Sequence, residues 1–238
     1  MTNLVPEEER FKFFVYIVES PSAVDLYHQR AEGGVVQQAV KLNLIPCVHR
    51  LAINLQAFEA SLQVGLTEAM DATPGLIPIL HISAHGFAQG IQLSSGETII
   101  WEQLREMLAP INKALNHNLI VCMSTCEGYS GSQMAMLSEP DNYPFLALIG
   151  NGSKPTWPET AVGFSTFYHL LANNRYVPDA VEAMCAASGN NNFFLTTAEQ
   201  SKKTYLDFIA KLDAEEVKED LEQQLETTQS TALDKFAK

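Results

Sequence analysis

Two short stretches carry residue types that chemistry needs. The first is Ile79 to Gly86, ILHISAHG, an apolar run that ends in His85 and Gly86. The second is Leu119 to Gly131, LIVCMSTCEGYSG, an apolar run that ends near Cys126, followed by Glu127 and Gly128. A thiol beside an imidazole makes a nucleophile: the ring takes or balances the thiol proton, and nearby positive charge lowers the thiol pKa. Gly86 leaves room for a substrate backbone. The amide N–H groups of Gly86 and Cys126 are candidates for an oxyanion hole, which would hold the negative oxygen of an acyl-transfer intermediate. Alone, each element has a plainer reading: a turn for His-Gly, a packed thiol for the cysteine. Together they say more, because both follow apolar runs, and open parallel sheets build their sites at the carboxyl ends of strands.

Positioning this pair requires neighbouring strands. Phe11 to Val18 (FKFFVYIV) is aromatic and β-branched and reads as a buried strand. A helical stretch from Gly33 to Leu44 follows, then a strand over Pro46 to Ile53 and a helix over Leu55 to Met70, closed by the turn Thr73-Pro-Gly75. Strands are expected at Ile77 to Ser83, Ile91 to Leu93, Leu119 to Ser124 and Phe145 to Ile149. Helices are expected at Ile99 to Leu115, where Pro110 kinks or ends the regular part, at Thr160 to Ala172 and at Asp179 to Ala187. Thr196 and Glu199 have capping-box spacing, so a helix should begin there, with Tyr205, Phe208, Ile209 and Leu212 docking on the body. The alternation implies an α/β fold of three layers, a central mainly parallel sheet with helices on both faces. The expected organisation is a flexible N-terminus (1–7), one domain (8–190) and a helical, acidic C-terminal extension (191–238).

Bulk properties narrow the function. Of 238 residues, 46% are apolar and 18% charged, which suits a packed globule. A formal net charge of -13 argues against nucleic acid, whose phosphates need clustered Lys and Arg. No apolar run approaches the ~20 residues of a membrane span. The start, MTNLVPEEER, lacks the basic and apolar regions of a signal peptide, so a cytoplasmic location and four reduced thiols (Cys47, Cys122, Cys126, Cys185) are expected.

Other constellations fit less well. Zinc held by His81, His85, Cys122 and Cys126 is tempting by type. Residues four apart on a strand are about 13 Å apart, too far to share an ion. Gly128-Tyr-Ser130-Gly-Ser132 lacks the last glycine of a serine-hydrolase elbow. Gly150-Asn-Gly152 is followed by Pro155 where a dinucleotide fingerprint needs glycine. No cofactor or metal is therefore called for, although a flavodoxin-like small-molecule binder is a third, weaker option.

The two stretches, 41 residues apart from His85 to Cys126, resemble the paired motifs of CHAT domains within the caspase-like (clan CD) cysteine peptidases. The later stretch from Phe145 to Ser188 is similar to that family's closing strand and two helices, so the resemblance covers roughly Phe11 to Ser188. It implies a caspase-like fold and a cysteine endopeptidase, with Cys126 as nucleophile and His85 as general base or ion-pair partner. A protein or peptide substrate and a regulatory protein partner follow from the same resemblance. The alternative is a catalytically silent caspase-like module that binds a peptide or protein. Cys126 is preferred to Cys122, which sits mid-strand. In this fold the P1 side chain, on the residue whose carbonyl is attacked, enters a pocket beside the dyad. Glu127, Glu139, Asp141 and Glu159 are candidates to make that pocket acidic, selecting Arg or Lys, and Trp157 is a candidate wall. Glu127 has the competing role of satisfying its own turn, and Trp157 of anchoring its loop.

Overall fold

The computed structural model of the chain describes residues 4–7 and 12–212. Strand β1 (Phe13–Ser20) is buried at every position but its first, as a strand covered on both faces must be. It pairs in parallel with β2 (Cys47–Leu51) on one side and β3 (Ile77–Phe87) on the other. Next come β6 (Ile120–Ser124) and β7 (Ala147–Asn151), both parallel, and then β8 (Phe193–Thr197), antiparallel at the edge. The order is β2-β1-β3-β6-β7-β8. A small hairpin, β4 (Gly90–Gln92) and β5 (Thr98–Ile100), folds back antiparallel on the far end of β3.

Alternate residues of the central strands feed two cores, giving the expected three layers. On one face Val15, Ile17, Ile79, Ile120 and Ile149 pack with α2 (Gly33–Leu42), α7 (Trp157–Ala172) and α8 (Val177–Ser188). On the other, Tyr16, Val18, Leu80, Ile82, Val121 and Met123 pack beneath α3 (Leu55–Ala60), α4 (Leu66–Ala72) and α5 (Trp101–Ala114). One π-helical turn, Ser61–Gly65, joins α3 to α4 where the buried Tyr16 hydroxyl donates to the Ser61 carbonyl at 2.7 Å. Two further short helices are α1 (Ala23–Tyr27), just after β1, and α6 (Gln133–Met136).

The α2/α7/α8 face changes character along its length. It is apolar at the amino ends of the strands and polar at the carboxyl ends, where Glu19, Ser83 and Ser124 lie side by side on β1, β3 and β6, all buried. Glu19 is fully used: Oε1 accepts the Gly33 N–H at 2.6 Å, capping α2, and Oε2 meets His49 Nε2 at 2.8 Å. A Cβ on Gly33 would lie 2.7 Å from that carboxylate, so a larger residue there would have to push the Glu19 side chain aside.

Several expectations change. Residues 98–100 form β5 before α5 starts, because they complete a hairpin rather than a helix turn. Pro110 lies inside α5, which continues to Ala114; beyond the proline, Asn112 holds the helix by donating to the Tyr143 carbonyl and accepting from the Leu119 N–H. The sheet does not stop at residue 190: β8 pairs along β7, so the boundary expected at 190/191 would remove an edge strand. The capping box is real but one residue later, between Thr197 and Gln200, and opens a helix over 198–212. Phe208 and Leu212, expected to dock, are 56% and 44% exposed. At the other end Leu4 bridges Arg175 and the Val5 N–H donates to Asn174, so part of the segment read as flexible is tied down. The rest of that segment, and the extension from 213 to 238, lie outside the described residues.

Candidate active site

Register decides whether His85 and Cys126 can cooperate. Ser83 on β3 stands opposite Ser124 on β6 in a parallel ladder. Two residues further along each chain bring His85 and Cys126 to the same rim, at the carboxyl end of the sheet. Both line one cavity of about 740 Å³, together with Asp25, Glu32, Ser124 and Trp157.

The chain turns sharply after Cys126. Glu127 takes a left-handed conformation (φ 54°), and its N–H donates to the Ser153 carbonyl at 2.6 Å. Gly86 is pressed against this turn: any Cβ there would collide with the Cys126 carbonyl oxygen and lie 2.8 Å from Thr125 Cβ. That close approach packs the backbone of Gly86 against the backbone that carries the thiol. Burial pushes the Cys126 thiol above its ordinary pKa. Four smaller influences act against or with it: the Gly86 N–H, Lys154 and the Cys126 N–H pull it down, and Glu127 pushes it up. The two amides named from the sequence are thus among the groups that lower the thiol pKa.

His85 is held from the other side. Its Nε2 lies 2.9 Å from Asp25 Oδ2, and its ring meets the edge of Trp157 at 5.6 Å between centroids. Asp25 sits on α1, whose N-cap is Ser22; the Asp25 N–H donates to Ser22 Oγ at 3.1 Å, and Ser22 Oγ donates back to Asp25 Oδ2 at 2.6 Å. Arg30 approaches the second carboxylate oxygen at 3.9 Å. Burial raises the Asp25 pKa, but hydrogen bonds from Ser22 and His85 and the charges of His85 and Arg30 outweigh it, leaving the carboxyl below its usual range. An ionised carboxylate only accepts, so Nε2 donates to Asp25 and Nδ1 is the ring nitrogen left for other contacts.

Four sequence-predicted residues thus meet: His85, Gly86, Cys126 and Trp157. Trp157 also opens α7, so it is both wall and helix start. Glu127 is not among the cavity residues; its carboxylate pairs with Lys154 at 3.8 Å. Glu159 caps α7 by accepting from the Thr156 N–H and hydroxyl. Asp141 is a correction: it lies in the short turn Pro140–Asn142 that leads into Tyr143, beside Asn112 and Leu119, at the amino end of β6 and away from the cavity. Two acids were missed. Asp25 belongs to a five-residue helix too short to show periodicity, although Ser22-x-x-Asp25 after a strand is a legible cap. Glu32 precedes Gly33-Gly34 and reads as turn chemistry, yet it is 1% exposed and pairs with His81.

The fold and site define an α/β domain that presents a thiol, an imidazole and a carboxylate on one sheet edge. Compared with known proteins, the chain matches no protein-family profile and no curated protein sequence. Among solved structures it is similar to the Arg-specific cysteine proteinase gingipain R, at 14% identity and TM-score 0.44, over 80% of this chain and 46% of that one. It is also similar to a secreted C11 cysteine protease from Bacteroides thetaiotaomicron, at 9% identity and TM-score 0.45, over 80% of this chain and 68% of that one. The chain thus spans less than half the length of the first. Overlap at this level carries no argument about activity.

No helix among the described residues is long and apolar enough to cross a membrane.

Proposed function

We propose that this chain is a caspase-like cysteine endopeptidase of the CHAT type, with Cys126 as nucleophile, His85 as general base and Asp25 as the residue that positions His85. The observation that carries the reading is that the Cys126 thiol and a carboxylate-held imidazole line one cavity on one rim, with the Gly86 backbone pressed against the Cys126 turn. The raised thiol pKa favours a neutral resting sulfur, so the proton moves during attack rather than before it. His85 Nδ1 takes the thiol proton as the sulfur bonds to the substrate carbonyl carbon, and the C=O electron pair moves onto oxygen. The Gly86 and Cys126 amides stabilise that oxyanion. Collapse breaks the C–N bond, His85 gives the proton to the leaving amine, and a thioester remains. Water, deprotonated by His85, then releases the carboxylic acid and restores the thiol. Substrate is a protein or peptide, and control by a separate partner in the cytoplasm belongs to the same proposal.

The second reading is a silent module that binds a peptide or protein in the same cavity; the burial of the thiol favours it. A thiol-reactive peptide probe and a peptide-library digestion separate the two. Labelling at Cys126 that is lost in His85→Ala, with cleavage abolished by Cys126→Ala, supports the peptidase. Equal labelling with and without His85, and no Cys126-dependent cleavage, leaves the silent module.

A further inference from the structure

Strand β3 carries two histidines four residues apart, His81 and His85, and each faces an acid from the segment after β1. At the rim Asp25 holds His85. One tier below, Glu32 Oε1 lies 3.3 Å from His81 Nε2, and His81 Nδ1 lies 3.1 Å from the Tyr168 hydroxyl. At the rim the Asp25 carboxylate is fully partnered. Below it, among the described residues, Glu32 Oε2 is buried without a hydrogen-bond partner, as are the hydroxyls of Ser83, Ser124 and Thr125; Glu32 and Ser124 are each 1% exposed. Both line the same cavity as His85 and Cys126. A carboxylate oxygen sealed from water and left unpaired is costly, and such a group in a native protein calls for a partner.

The chemistry of that partner is constrained. Glu32 Oε2 accepts only, so the missing group is a donor, and a positive one gains most. Of the cavity's charged side chains, Asp25 is occupied by His85, Ser22 and Arg30. Arg30 is 58% exposed and 3.9 Å from Asp25, so its charge is set against Asp25 at the mouth. Val35, Trp157 and Ala161 supply apolar walls, suited to a methylene stem. We infer that the cavity takes a cationic P1 side chain, arginine or lysine, and that Glu32, with Ser124 beside its path, is the residue that selects it. This rests on the peptidase reading for its register: the carbonyl lies at Cys126, and the side chain descends past Ser124 to Glu32. An acidic P1 group is excluded by the unpaired carboxylate, and a short one does not reach the lower tier.

The test separates recognition from chemistry. Binding is measured on the Cys126→Ala protein with two peptides that differ only in P1, arginine or its neutral isostere citrulline. The arginine peptide should bind about 30-fold tighter or more, the effect of pairing a desolvated charge. Glu32→Gln in the same background should bring the two within about threefold, and Ser124→Ala should narrow the gap without closing it. Equal affinity of the two peptides for the parent protein, or a gap that survives Glu32→Gln, overturns the inference. Should Glu32→Gln fail to fold, the parent comparison and Ser124→Ala still decide. Turnover is read on the unmodified chain with a P1-varied library. Cysteine-dependent cutting only after neutral or acidic residues overturns the role of Glu32 and leaves the peptidase standing. Arginine discrimination without any Cys126-dependent turnover keeps the cation site and removes the peptidase.

Discussion

Asp25→Asn is the sharpest single perturbation of the proposed machinery. The substitution keeps the shape of the side chain and removes its charge. In the native protein the carboxylate fixes the proton on His85 Nε2 through a 2.9 Å contact and leaves Nδ1 free to act as base. An amide has no such preference, since it offers the ring both a donor and an acceptor. A hydrogen bond to a charged group contributes about 1.5–3 kcal/mol. The His85 side chain is 41% exposed and that of Asp25 12%, which places this contact toward the lower part of the range. About 2 kcal/mol, converted at ~1.4 kcal/mol per decade, is roughly a 30-fold loss in kcat. The loss should fall on kcat more than on KM and should be the same for every P1 residue, because Asp25 acts through His85. Asp25 has a depressed pKa, so its contribution is complete above the ordinary carboxyl value and is lost only as pH falls below it. The Asp25→Asn deficit should therefore stay constant across neutral pH. Steady-state kinetics on a peptide substrate check this, alongside Cys126→Ala as the null. A variant with kcat within twofold of the parent would refute the orienting role of Asp25.

Three other outcomes follow from the same geometry. Gly86→Ala should cost both activity and about 1–3 kcal/mol of stability, because its Cβ must push the Cys126 turn away from β3; unchanged turnover and melting temperature would contradict the close approach. Burial pushes the thiols of Cys47 and Cys122 up to about 12. Thiols in the unfolded chain ionise near 8.5, so stability should be complete below that pH and fall toward 12, by up to ~1.4 kcal/mol per pH unit per thiol. Urea melts of the parent and Cys122→Ala across alkaline pH read the slope, which should be shallower in the variant. Finally, Trp157 is one of only two tryptophans, and the other, Trp101, is 5% exposed in the core. A cavity ligand should change the emission of Trp157, and Trp157→Phe should abolish the change; a signal that survives would come from Trp101.

The core strands were legible because each is an uninterrupted apolar run long enough to be covered on both faces. FFVYIVES, IPILHIS and IVCMS leave little else to be. Their adjacency was legible too, since the helix between His85 and Cys126 supplies a parallel crossover. Edges were harder. Phe193–Thr197 follows an Asn-rich turn and is only partly buried, so nothing in its pattern distinguishes an edge strand from the lead-in to a helix. The capping-box error has the same origin: Thr196 and Thr197 both fit, and because the strand runs on through Thr197, the helix can begin only after it. Charge was hardest of all. Glu127 and Asp141 are near the cysteine in sequence, but a left-handed turn sends one to Lys154 and chain direction sends the other to the opposite end of β6. Asp25 and Glu32 are 101 and 94 residues from Cys126, and only the β1–β3–β6 ladder brings their segment to it.

The contact between Gly86 and the turn at Cys126 joins the ends of β3 and β6 at one point, with no room between them for even a methyl group. Whatever displaces one strand end must displace the other, so the thiol and the neighbouring glycine backbone travel as a unit.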